Sequence, residues 1–113
     1  MHIDNHVVLN QIDAILDRCK KIIMECNGSE FPFSHLSRIE QVEIKTLLAA
    51  TIDRLAPSGT QYRNEAQNII KIQRDTQITI HHLVGILVAL RGDYEAGYLK
   101  SIHELIHAEI LSI

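Results

Sequence analysis

The stretch that most constrains the fold is the last third of the chain, Ile80 to Ile113. Leu83, Ile86, Leu87 and Leu90 recur at the spacing that gathers side chains on one helical face, and Val84 and Val88 widen that face. A helix apolar around most of its girth is normally buried at the centre of a bundle. Thr79 stands where an N-cap belongs, and Gly97 is a natural left-handed stop. Ser101-Ile102-His103-Glu104 then reads as a capping box, opening a closing helix whose apolar stripe is Ile102, Leu105, Ile106 and Ile110, with Leu111 beside it.

The rest of the chain supplies helices to cover that centre. Val8, Ile12, Ile15, Cys19, Ile22 and Cys26 form a seam, flanked by Leu9, Leu16 and Ile23, along a helix that Asn27-Gly28-Ser29 ends. Ser37-Arg38-Ile39-Glu40 is a second capping box, and its helix carries Ile39, Val42, Leu47, Leu48, Ile52 and Leu55 up to Pro57. Pro57-Ser58-Gly59 marks a tight turn. Gln61 to about Gln73 follows, with Tyr62, Ala66, Ile69, Ile70 and Ile72 apolar, and Arg74 to Gln77 reads as a polar connector. No strand pattern or internal repeat interrupts this order. The expectation is an all-α fold, a compact bundle of about five helices with short loops, forming a single domain over residues 1–113.

Composition narrows the function classes. Hydrophobic residues make up 46% of the chain, yet the longest apolar run, Ile80 to Leu90, is interrupted by His81, His82 and Gly85 and falls short of a membrane span. A net charge of -3 argues against a broad nucleic-acid surface, and 4% aromatics argues against stacking platforms for single strands. No basic stretch leads into an apolar one at the N-terminus, so no secretory signal is expected. Cys19 and Cys26 lie seven residues apart on one helix, about 10 Å along its axis and too far to bond to each other. Reduced thiols in a cytoplasmic protein are the expectation.

Three groups of residues could carry function. Phe31 and Phe33 flank Pro32 in the sole aromatic cluster, and either plug one end of the bundle or offer a partner an anchor. Arg91, Asp93, Tyr94, Glu95 and Tyr98 gather charge and tyrosine at the C-terminal turn. They form either a local network, with Arg91 paired to Glu95 one turn on, or a docking surface of the kind tyrosine and arginine favour. The third group is the histidines. His103-Glu104-Leu105-Ile106-His107 matches the H-E-x-x-H pattern in which two histidines hold zinc and the glutamate activates water. Only six residues follow His107, so no downstream third ligand is available in this sequence, and Glu104 already serves the capping box.

Arg74 and His81 are spaced similarly to the Arg–His signature of HEPN-type ribonucleases, where the pair stabilises phosphate charge and moves a proton without a metal. With Thr79 as a cap, Arg74 falls in the preceding loop. His81 and His82 could also share a metal with His103 or His107 if the last two helices pack antiparallel. No phosphate-cradling glycine loop or nucleophile elbow is present, and no cofactor is implied. Gly85 and Gly92 inside an apolar helix suggest a second backbone passing close by; for Gly85 an intramolecular crossing is expected.

Four segments, Leu55 to Thr60, Leu83 to Leu87, Ala89 to Leu99 and Glu104 to Glu109, are together similar to a helical unit that recurs in bacterial abortive-infection and anti-phage proteins. The resemblance covers about residues 45–113. In that family the unit often precedes or accompanies an effector domain, sometimes a HEPN-like one, and often continues beyond the segment matching Ile106-His107-Ala108. It implies a regulatory or assembly role in bacterial defence and carries over no catalytic residue. The combined expectation is a non-enzymatic protein–protein interaction or oligomerisation module, with the metal-independent ribonuclease and then the zinc hydrolase as alternatives.

Overall fold

Two of the described helices begin at a side chain that accepts an amide the helix itself leaves unpaired. In the computed structural model, which describes residues 5–97, four α-helices follow one another: α1 (Asn5–Glu25), α2 (Arg38–Leu55), α3 (Gln61–Ile72) and α4 (Thr76–Glu95), with a short 3₁₀ helix, Pro32–His35, between α1 and α2. Ser37 Oγ accepts from the Glu40 amide at 3.2 Å, the cap expected of it, and donates to Glu40 Oε1 at 3.1 Å, so Glu40 bonds the serine hydroxyl. Pro57 to Thr60 closes a turn with Gly59 at φ +80°, a conformation that L side chains rarely adopt, and Thr60 N donates to Pro57 O.

α4 starts earlier than its sequence suggested. Asp75, not Thr79, is the N-cap, its Oδ1 accepting from Gln77 N at 3.1 Å. An aspartate caps at least as well as a threonine, and the extra turn takes Thr76 out of the expected connector and buries it, beside the buried Thr79 and Ile80. Thr79 is left inside the helix, its hydroxyl donating back to Asp75 O at 3.1 Å. Gly97, at φ +85°, ends the described chain in the left-handed conformation expected of it.

The core is a single cluster to which every helix contributes. Val8, Ile12, Leu16 and Cys19 come from α1, and Ile44, Leu48, Ile52 and Leu55 from α2; Ala66 comes from α3, and Ile80, Leu83, Leu87, Leu90 and Tyr94 from α4. α4 packs against α1, α2 and α3, so the helix that the sequence placed at the centre occupies it. It does not do so on all sides. Val88 is half exposed, and Gly85, Ala89 and Gly92 face outward. Among the described residues nothing lies within 4 Å of a Cβ built on Gly85 or Gly92. The expected crossing at Gly85 is therefore absent there, although a helical glycine costs about 1 kcal/mol against alanine.

α2 departs from expectation in the same way. Ile39, Val42 and Leu47 were assigned to its apolar side, but Ile39 is 81% exposed and the other two are also open to solvent. The buried stripe runs through Ile44, Leu48, Thr51, Ile52 and Leu55. At about 100° per residue, Ile39 sits half a turn round the helix from Leu48, so both cannot face the core. Cys19 is buried, which pushes its thiol above the ordinary range, while Cys26 is partly exposed and donates to Pro32 O at 3.3 Å; both are free. The fifth expected helix lies outside the described residues. No helix among the described residues is long and apolar enough to cross a membrane.

Candidate functional site

Three features follow from this packing: a charged lock at the end of α4, a cleft between α3 and α4, and an uncovered apolar face on α1 and α2. The lock is built on Arg91. Its Nε and Nη2 reach the two carboxylate oxygens of Asp13 on α1 at 2.5 and 3.2 Å, and its Nη1 reaches Glu95 Oε2 at 2.7 Å. The fork-to-fork geometry fixes α4 against α1 at one register. The Glu95 arm is the local pairing read from the sequence. The Asp13 arm had no local signal, because 78 residues separate the partners.

Hydrogen bonding to Arg91 holds the Asp13 carboxyl below its ordinary value, and the same bond raises the Arg91 guanidinium further above its own. A depressed folded-state value stabilises the fold above the unfolded carboxylate's pKa, and that stabilisation is lost as pH falls through the folded value. Asp13→Asn should therefore be less stable than the parent chain near neutrality, and the gap should close as pH drops below the ordinary carboxylate range. Urea unfolding across a pH series checks this; a gap that persists unchanged in acid would assign the effect to packing instead.

The aromatic residues divide between inside and outside. Tyr94 is buried, with its hydroxyl donating to Leu55 O at 2.5 Å, and belongs to the core. Phe33 is fully buried and meets the His81 ring edge-on at 5.0 Å, plugging the bundle as one of the two sequence readings had it. Phe31 is 47% exposed and so does not share in that plug. Asp93 is partly buried and Glu95 exposed, and Tyr98 lies outside the described residues.

The cleft, of about 550 Å³, lies between Gln61, Tyr62 and Glu65 of α3 and His81, His82, Gly85, Ile86 and Ala89 of α4. Among the described residues His81 Nε2, shielded from solvent, has no hydrogen-bond partner. Arg74 is exposed in the connector before α4 and is not among the side chains lining this cleft. Among the described residues no three His, Cys, Asp or Glu side chains converge as a metal site requires. His103 and His107 lie outside those residues.

The uncovered face follows from how α1 and α2 pair. Arg54 donates to Gln11 at 3.1 Å and Arg18 bonds Glu43 at 2.6 Å, so the two helices run antiparallel. Between these contacts a groove of about 200 Å³ is lined by Ala14, Ile15, Cys19, Ile44 and Leu47, with Arg18 alongside. Continued one turn further, the same register brings Ile22 and Ile23 opposite Ile39 and Val42. Met24, 78% exposed, and Phe31 lie at that end too, because Cys26 at the end of α1 bonds the carbonyl of Pro32. Comparison of the chain with protein-family models, with curated proteins and with solved structures finds no match.

Proposed function

We propose that this chain is a non-enzymatic helical interaction module that self-associates through the uncovered face of α1 and α2. The supporting observation is the exposure of Ile23, Met24, Phe31, Ile39, Val42 and Leu47 on two paired helices and the loop between them. Single exposed apolar side chains are ordinary on a monomer, whereas a group of this size marks a surface that associates. The setting we propose, a cytoplasmic bacterial defence system of the abortive-infection type, rests on the sequence resemblance over residues 45–113. The ribonuclease reading has weaker support, because its arginine stands apart from the cleft that His81 lines.

Light scattering on the eluted protein is the test. The parent chain should run at twice its formula mass or more at high concentration. The double variant Ile39→Glu with Val42→Glu should run as a monomer with unchanged helical circular dichroism, since both positions are exposed and tolerate charge. A parent chain that stays monomeric at high concentration defeats the proposal, and so does a double variant that still associates.

A further inference from the structure

Between α2 and α3 lies a groove of about 420 Å³, a size within the usual range of small-ligand sites. It exists because Ala49 on α2 and Ala66 on α3 bring too little side chain to fill the space between the two helices. Ile52, fully buried, and Ala66, almost so, form its floor, and the partly buried Ile70 forms a wall. Its two ends differ in charge. At the end nearest the α2–α3 turn, Arg63 reaches across to Asp53, with Nε 3.5 Å from Oδ1 and Nη2 donating to the Asp53 carbonyl. That bridge is neutral and bounds the groove. At the other end Lys45 is partly buried, and among the described residues its ammonium has no ion-pair partner or hydrogen bond.

We infer that this groove binds a medium-chain aliphatic carboxylate, with the carboxylate on Lys45 and the chain along Ala49, Ile52, Ala66 and Ile70. An apolar floor with a few placed polar groups suits an alkyl chain, and the unpaired ammonium calls for an anion at that one end. Lysine fits the role, because its stem covers apolar wall while its head stays at the water boundary and meets the carboxylate there. From Lys45 to Asp53 is about 12 Å along α2, the span that an extended decanoate chain fills. The Arg63–Asp53 bridge decides between occupants. A partner helix would have to run on past it, and a second carboxylate at that end would meet the negative charge of Asp53. The uncharged end of an alkyl chain simply stops short of the bridge.

Calorimetric titration of the full chain, with methyl NMR to locate the ligand, is the test. Decanoate should bind saturably and shift the methyl signals of Ala49, Ala66 and Ile70. Affinity should rise roughly fourfold for each methylene added from hexanoate to decanoate, the effect of burying a CH₂ group. Lys45→Met keeps the stem and removes the charge, and should weaken decanoate binding about tenfold or more. Decyltrimethylammonium, with the same alkyl chain and the opposite charge, should bind the parent chain at least about tenfold more weakly than decanoate does. Ala49→Leu fills part of the groove with a good helix former, and should also weaken binding while helical circular dichroism stays unchanged. Ile23→Ser, on the uncovered face of α1, should bind decanoate as the parent does. Absence of saturable binding overturns the inference, as does an affinity that ignores chain length or survives Lys45→Met. Shifts confined to the α1–α2 face, with binding lost in Ile23→Ser, also overturn it and place the alkyl chain on the associating surface.

Discussion

Leu87→Ala should lower the free energy of unfolding by about 3–5 kcal/mol, the range for deleting a fully enclosed leucine whose surroundings cannot collapse. Leu87 has no exposed surface and stands on the helix that touches all three others, so the void it leaves is walled by several elements at once. A domain of this size has a total stability of about 5–15 kcal/mol, and the loss should bring the melting temperature down by roughly 10–20 °C. Its neighbour Val88 is half exposed, and Val88→Ala should stay within about 0.5 kcal/mol of the parent chain. Urea unfolding of the two variants side by side is decisive. Equal effects would mean that α4 does not bury the face assigned to it.

Tyr94→Phe should cost about 1–3 kcal/mol although it removes a single oxygen. That hydroxyl donates to the carbonyl of Leu55, the last residue of α2, where the helix can no longer supply its own donors. Phenylalanine fills the same space and leaves the carbonyl's hydrogen bond unmade, which isolates the polar contribution. Tyr94→Ala adds a cavity and should reach about 3–5 kcal/mol. Burial also pushes the phenol's pKa up, so the side chain remains a donor through neutral pH. A raised folded-state value stabilises below the unfolded phenol's pKa and is lost as pH rises through the folded one, so the parent chain should lose its advantage over Tyr94→Phe in strong alkali. A phenylalanine variant as stable as the parent at neutral pH would show that the Leu55 carbonyl is satisfied elsewhere.

Periodicity, capping and turn chemistry made most of the secondary structure legible. Val8, Ile12 and Cys19 on α1 and Leu83, Leu87 and Leu90 on α4 were assigned to the inside by spacing and are inside. The Ser37 cap and the Gly59 turn stand where composition put them. Two errors share one cause. On α2 the apolar residues occupy more of the circumference than the neighbours cover, so a list of apolar positions could not say that Ile44 turns inward and Ile39 outward. On α4 the same excess made Val88 look buried. Thr79 was taken for the cap because it precedes the apolar run, whereas Asp75 offered an equal cap one turn earlier and the helix gained burial by using it.

The candidate site was legible only in part, and the reason is again distance along the chain. Arg91 and Glu95 are one turn apart and could be paired on paper, but Asp13 reaches the same guanidinium across 78 residues. Tyr94 was grouped with the charged residues of the C-terminal turn, as part of a local network or a docking surface; its position on the inward face of α4 makes it core. Phe31 and Phe33 are indistinguishable by neighbourhood, and only the path of the 3₁₀ helix sends one ring against His81 and the other to solvent.

By itself, the order of residues determined that the described chain is helical and where its helices stop, because those properties depend on contacts within a few residues, and it marked α4 as central by the breadth of its apolar face. Which apolar side chains are left uncovered, and which carboxylate Arg91 clasps, were decided only when the helices met. Each depends on the finite width of a neighbouring helix and on partners brought together from opposite ends of the sequence.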